Sequence, residues 1–423
     1  MSRLLDEILS DENIALAQKR VYANKGASGV DEIGIKELSE YMKENWESIK
    51  KQIQERKYKP QPVLRVEIPK PNGGVRKLGI PTVVDRVIEQ AITQILSPIF
   101  DPLFNEHSYG FRPGRRCEQA ITKLLEYFND GYIWVVDIDL EKFFDNVPQD
   151  RLMSLVNNVI HDGDTESLIR KYLQAGVMVN GKYEETKIGT PQGGNLSPLL
   201  SNIMLNELDK ELESRGLNFV RYADDCVIVV RSEAAAKRVM YSITDWIERK
   251  LGLKVNATKT HTCGPTKLKY LGFGFWKDNE KWRARPHQDS LDKFKRKLKQ
   301  LCKRNWSVGL KYRIEKLNEV IRGWINYFRI ADMKKAMTTI HQHLMTQIRV
   351  VIWKQWKVPS KREWGLVKLG IKKWIAHEMS YIKGYYKVAR LPQIKRAISK
   401  EILTRRLNLV SPLDYYLEKR VCN

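Results

Sequence analysis

Two apolar, strand-like runs in this chain meet carboxylates, and that constrains the fold more than any other feature. Ile133–Ile138 is apolar until Asp137 enters it and Asp139 follows it, while FVRYADDCVIVV (219–230) is a pair of apolar stretches on either side of Asp224 and Asp225. Two such stretches around a tight Asp-Asp read as a β-hairpin with carboxylates at its turn. If the two runs are neighbours in one sheet, Asp139, Asp224 and Asp225 gather at its edge. Acids so placed repel one another, and a site that collects three of them usually holds a divalent cation. Hard oxygen ligands suit Mg²⁺, and two such ions about 3.5–4 Å apart activate an attacking hydroxyl and stabilise a leaving phosphate. Taken singly, the Asp-Asp pair also reads as an ordinary hairpin turn and Asp139 as a helix cap.

The rest of the chain divides into helical and turn-forming segments. Residues 1–58 carry apolar residues at three- and four-residue spacing, with SDEN (10–13) as a cap and the glycine-bearing loop NKGASGVDEIG (24–34) between helices. Residues 62–82 alternate around Pro71-Asn72-Gly73-Gly74, the pattern of a β-hairpin with basic residues at its tip. Helices are expected over 84–98 and 115–129, flanking the aromatic and basic loop HSYGFRPGRR (107–116), then from 150, after the polar loop GTPQGGNLSP (189–198), and over 233–251. From 286 onward the pattern is helical, with Ile314, Leu317, Ile321, Trp324, Ile325 and Phe328 on one face, and three helices reaching 356 form a bundle. VPSKREWG (358–365) reads as a linker into a last basic helical piece.

Charge separates these parts. Residues 1–284 hold 41 Lys+Arg against 40 Asp+Glu, whereas 285–423 hold 33 against 10, so nearly all of the net +24 lies in the second stretch. An excess of +23 repels itself unless a polyanion is present, so this stretch reads as an electrostatic footprint for nucleic acid, the alternative being amphipathic helices with solvated lysine faces and tryptophans in the core. Eight of the eleven tryptophans lie from Trp276 onward and suit base stacking as well as core filling. No run approaches the ~18 to 20 apolar residues of a spanning helix. MSRLLDEILSDE puts acids where a signal peptide has its apolar segment, so a cytoplasmic protein without membrane partners is expected. Five scattered cysteines suggest neither a disulfide framework nor a zinc knuckle. His341 and His343, two apart on a helix, point to different faces, which argues against a metal pair.

In order along the chain, VDIDLEKFFDNV (136–147), GTPQGGNLSPLLSN (189–202), RYADDCVIV (221–229), VNATKT (255–260) and YLGF (270–273) resemble successive motifs of reverse transcriptases. IPKPNGGVRKLGIPTVVDRV and YGFRPGRR resemble earlier motifs of that domain, and LNEVIRGWINYFR (317–329) resembles the maturase or X domain of bacterial group II intron-encoded proteins. The resemblance implies an α/β right-hand polymerase, with fingers and palm over 1–285, an α-helical thumb or maturase region over 286–357 and a basic DNA-binding region over 358–423. It implies RNA-templated DNA synthesis, in which a primer 3′-hydroxyl attacks a dNTP with two Mg²⁺ ions, or Mn²⁺ in their place, on Asp139, Asp224 and Asp225. It further implies a maturase that binds its parent intron RNA, with an RNA template, a DNA or RNA primer, and target DNA as partners; oligomeric state is left open.

Site roles follow from the same resemblance. Asp137 is the less favoured alternative to Asp139. Phe143 or Phe144 supplies the steric gate that excludes a ribose hydroxyl, and spacing does not choose between them. Gln192, Gly193 and Gly194 line the nucleotide and template pocket, where glycine admits close backbone approach to substrate. Lys70 and Arg76 take the triphosphate, Lys259 lies near it or near the leaving pyrophosphate, Leu271, Gly272 and Phe273 form the primer grip, and Asn24, Lys25 and Gly26 contact the template. The family often ends in an HNH-type endonuclease with paired cysteines and histidines; this sequence has no such cluster, so DNA cleavage is not expected of it and a priming nick would arise by reverse splicing or at a replication fork. Two other readings share part of the pattern: a splicing maturase with a vestigial polymerase site, and a retron or CRISPR-associated reverse transcriptase. The intact carboxylates speak against the first, and LNEVIRGWINYFR with SPLLSN speaks against the second.

Overall fold

In the computed structural model, which describes residues 2–69, 74–191 and 193–421, the two acid-bearing runs are neighbours in one sheet. The chain forms two compact units, Met1–Gly264 and Pro265–Asn423. The strands of the first are β1 (Val63–Pro69), β2 (Val75–Ile80), β3 (Trp134–Ile138), β4 (Val177–Val179), β5 (Lys182–Glu184), β6 (Asn218–Tyr222), β7 (Asp225–Val230) and β8 (His261–Cys263). Those of the second are β9 (Phe273–Asp278) and β10 (Lys281–Pro286).

The sheet that carries the acids has the order β6-β7-β3-β8, with every pairing antiparallel. Central strand β3 is Val-rich, with Val135 and Val136 buried, as a strand flanked on both edges requires. The helix Glu233–Trp246 packs on β3, β7 and β8, and the helix Cys117–Asn129 packs on β6. A third helix, Ser197–Ser214, is buried nearly all round and carries buried Asn202, Asn206 and Asp209 among its leucines. Polar groups taken out of water must find partners: Asn202 and Asp209 find theirs in Arg221 beneath the acid-bearing hairpin, and Asn206 in the Leu103 carbonyl and the Asn105 N–H.

The second sheet, β2-β1-β4-β5, begins with the expected hairpin, in which Leu64 lies opposite Ile80 and Pro69 opposite Val75. Its tip, including Lys70, lies outside the described residues. The short strand β4 adds to β1 in parallel, and β5 folds back on β4. At the N-terminus Ser10 caps the helix Asp11–Asn24 through the Asn13 N–H, as SDEN predicts.

In the second unit β9 and β10 form a hairpin, followed by the helices Gln288–Leu301, Leu310–Tyr327 and Lys334–Gln355. These match the expected three-helix pattern. The segment read as a linker is instead helical over Pro359–Lys368. Proline stands in its first turn, where its missing N–H has no helical partner to lose, Leu366 is buried, and Gly365 lies against the Trp356 ring. No helix among the described residues is long and apolar enough to cross a membrane.

Candidate active site

The register of the sheet brings the carboxylates together. Ile138 lies opposite Cys226 and Tyr222 opposite Asp225. Continuing β3 by one residue sets Asp139 beside Asp225, and Ala223-Asp224 is left as the two-residue turn between β6 and β7. Asp137, two residues before Asp139 and on the same face, lies opposite Val227 and His261.

Electrostatics reports the crowding. Burial, then the charges of Asp224, Asp137 and Asp139, push the Asp225 carboxyl up to about 6, against the pull of Lys259. Burial also pushes Asp137 up to about 6, with Asp139 adding to it and His261 opposing. Asp224 is raised by burial and by Asp139, and lowered by Arg76 and Arg221. The field of Arg76 on Asp224 ties β2 electrically to the carboxylates, where a triphosphate ligand is expected. Lys259 Nζ bonds Asp139 at 3.3 and 3.2 Å. Its segment runs alongside β3's continuation, through Asn256 N–H to the Asp139 carbonyl and Asp139 N–H to Thr260 Oγ1.

No three His, Cys, Asp or Glu side chains among the described residues stand at the spacing that holds a metal; Lys259 occupies Asp139 instead. The donor set still fits a hard divalent cation: oxygen ligands only, mutually repelling, at one edge of a sheet.

The two phenylalanines separate. Phe143 is 3% exposed and belongs to the core, its ring edge-on to Phe144 at 5.3 Å. Phe144 lines a cleft of about 350 Å³ with Lys77 and Gly79 of β2 and with Thr190 and Pro191. The 189–198 loop is fastened here by Thr190 N–H to the Phe144 carbonyl and Gly189 N–H to the Val147 carbonyl. Gln192 lies outside the described residues. Gly193, at a φ of +120°, has its Cα so close to β2 that a Cβ would stand 2.2 Å from the Gly79 carbonyl oxygen, and one on Gly194 would meet the Glu89 carboxylate at 2.7 Å. The close approach these glycines allow is therefore to the protein's own strand and helix, where substrate was expected.

The sequence pattern does not single out Glu89. It lies on the helix Val83–Phe100, fully buried, and accepts from the Asn195 N–H at 2.5 Å, holding the glycine loop to that helix. Burial, with Asp85 adding to it, pushes its carboxyl up to about 8. The folded chain thus keeps a proton that the unfolded chain loses near 4.5, so this stabilisation is complete below pH ~4.5 and lost as pH rises through about 8. Glu89→Gln is expected to raise the thermal midpoint at about pH 8.5 by roughly 4–8 °C, for ~2 kcal/mol relieved, and to leave it unchanged near pH 4.5. Scanning calorimetry at the two pH values checks this.

Asn24 ends its helix, Lys25 has a φ of +49°, and Asn24, Lys25 and Gly26 are all exposed; Arg86 ties this loop down by donating to the Ala27 carbonyl. In the second unit Leu271 and Gly272 form a positive-φ turn, with Ser290 Oγ and the His287 N–H donating to the Gly272 carbonyl. Phe273 is buried there against Phe328, ring centroids 4.7 Å apart, so it serves the core. His341 bonds Ser411 and His343 bonds Gln347, separate partners on separate faces.

Comparison with known proteins bears on both units. Residues 68–275 match the reverse transcriptase (RNA-dependent DNA polymerase) family and residues 291–370 match the group II intron, maturase-specific domain. Group II intron-encoded protein LtrA of Lactococcus lactis subsp. cremoris is 41% identical over 226 residues, 52% of this chain and 37% of LtrA. This chain thus spans well under half the length of that relative. Protein YkfC of Escherichia coli (strain K12) is 32% identical over 315 residues, 65% of this chain and 81% of YkfC. A solved Cas6-RT-Cas1–Cas2 complex is 22% identical with a TM-score of 0.39, covering 59% of this chain and 43% of that one. With an α/β unit that aligns the carboxylates and a helical unit bearing the maturase-specific match, the chain belongs to the group II intron-encoded reverse transcriptase and maturase family.

Proposed function

We propose that this protein is an RNA-directed DNA polymerase of a group II intron that also binds its intron RNA as a maturase, acting in the cytoplasm. The observation that carries the reading is the pairing of β3 with β7, which draws Asp139 and the Asp224-Asp225 turn to one sheet edge. Asp139, Asp224 and Asp225 would hold two Mg²⁺ ions, with Mn²⁺ able to substitute, and the metal would supply charge stabilisation for an in-line phosphoryl displacement. The protein's own part is positioning and electrostatics. Arg76 and Lys70 receive the triphosphate, and Lys259 can exchange its ion pair with Asp139 for one with phosphate. Gln192 and Gly193 serve the incoming nucleotide, Gly193 by letting its loop sit against β2, the Leu271-Gly272 turn grips the primer with buried Phe273 as its support, and Asn24, Lys25 and Gly26 touch the template. Functionally we divide the chain into fingers and palm over 1–285, thumb over 286–357 and a DNA-binding region over 358–423.

Phe144, on the cleft wall, is the steric gate. Phe144→Val is expected to lower the preference for dNTP over rNTP by roughly 10- to 100-fold in single-nucleotide extension. Phe143→Ala is expected to cost about 3–5 kcal/mol of stability through a core cavity. An unchanged preference in Phe144→Val would remove Phe144 from that role.

The basic tail cannot be tested by truncation, because Leu366, Val388, Ile394 and Leu403 are buried within the second unit. Lys372, Lys373, Lys383 and Lys387 are exposed, and so are Trp364 and Trp374, available as stacking surfaces for RNA or DNA bases. Changing the four lysines to glutamine is expected to flatten the dependence of log affinity for duplex DNA on log salt by up to about 0.9 per lysine. An unchanged slope in filter-binding titrations would mean that these charges face only solvent.

A further inference from the structure

The turn that offers Asp224 and Asp225 contains an alanine at a φ of +58°. A non-glycine residue holds such a conformation only where its neighbours impose it. Beneath the turn lies the device that does so. Arg221 and Asp209 are both 0% exposed. Arg221 Nε and Nη2 donate to the two Asp209 oxygens at 2.7 and 2.5 Å, and Nη1 donates to Asn202 Oδ1 at 3.0 Å. The same Nη1 donates to the Ala223 carbonyl at 2.9 Å. Asn202 Nδ2 in turn donates to the Gly110 carbonyl at 2.9 Å, and the main chain of Arg221 is pinned to His107 and Tyr109.

An ion pair wholly removed from water is an unfavourable way to fill space, since hydrophobic residues of similar volume do so as well or better. What apolar residues could not supply is a planar fork of donors that reaches a carboxylate, an amide oxygen and a turn carbonyl together. We propose that Arg221, Asp209 and Asn202 form a positioning network for the metal-binding turn. By fixing the Ala223 carbonyl it sets the direction in which Asp224 and Asp225 are presented. Its members are positioning residues that touch neither substrate nor metal, and the proposal rests on Asp139, Asp224 and Asp225 being the ligands.

The test uses the full chain, with Mn²⁺ alone as the binding probe, read by loss of the free-ion electron paramagnetic resonance signal. Asn202→Ala leaves the Arg221–Asp209 pair intact and is expected to weaken Mn²⁺ binding roughly tenfold, at the lower end of outer-shell effects. Its kcat is expected to fall roughly tenfold, with KM for dNTP at saturating metal unchanged within about twofold. Arg221→Lys keeps the charge opposite Asp209 but offers one nitrogen to three acceptors, and the same pattern is expected. A lowered thermal midpoint with unchanged Mn²⁺ binding and kcat would overturn the proposal, as would failure of both variants to fold. Asp224→Asn separates the two readings. If it leaves Mn²⁺ binding intact, the ligand assignment fails; if it removes binding while both network variants match the wild type, the positioning role alone fails.

Discussion

Primer extension by the Asp139→Ala protein is expected to fall by about 10³-fold or more, with no loss of thermal stability. The rate effect follows from removing one of three carboxylates at the sheet edge, where a lost metal ligand forfeits several kcal/mol of charge stabilisation and each ~1.4 kcal/mol is a decade in rate. The stability side rests on what Asp139 touches. Its ion pair with Lys259 is partly exposed, 31% and 65% for the two side chains, and pairs of that kind contribute about 0–1 kcal/mol. Against that small loss stands relief of repulsion, since Asp139 raises the carboxyls of Asp137, Asp224 and Asp225. A thermal midpoint at or above the wild-type value, with extension gone, is the combination that marks a residue kept for chemistry at the expense of stability.

Gly110→Ala is expected to abolish extension too, by a different route. A Cβ at Gly110 would stand 2.2 Å from the Ala223 nitrogen and 2.8 Å from the Tyr222 carbonyl carbon, and both atoms are backbone. Neither can yield without moving the turn, and a displacement near 1 Å at a reacting site costs about 10²-fold. Loss of more than about 100-fold in kcat, with the second unit's binding to nucleic acid retained, is therefore the predicted outcome. Full activity would mean that the loop around Gly110 swings clear of the hairpin. Steady-state extension and a filter-binding titration on the same preparation distinguish these.

Much of this site was legible in the residues because it is made of local patterns. The Asp-Asp turn between apolar stretches, and the single acid at the end of another, needed only strand pairing to come together, and the β3–β7 register brings them to one sheet edge. The helices with clear periodicity, such as Leu310–Tyr327, stand where spacing predicted them. What escaped was either short or non-local. The strands β4 and β5 have three residues each and exist through pairing, β4 with β1 and β5 with β4, not through their own composition. Helix Pro359–Lys368 reads as a linker in the sequence because its polar stretch hides the burial of Leu366. Glu89, Asp209 and Arg221 read as ordinary charges, two on helices and one in a strand. Only the arginine in the middle of an apolar strand, and the aspartate and asparagines along a leucine-rich helix, gave a signal, that of buried polar groups in need of partners. Phe143 and Phe144 could not be told apart by spacing, since adjacent residues point different ways once the chain turns and only burial separates them.

The most direct measurement is extension of an annealed DNA primer on a defined RNA template with dNTPs and Mg²⁺, comparing wild type with the Asp139→Ala protein. Full-length cDNA from wild type alone, lost when Mg²⁺ is omitted, is the predicted result. No extension by a folded wild type that binds the RNA, or equal extension by both proteins, would contradict the assignment of polymerase chemistry to this carboxylate edge.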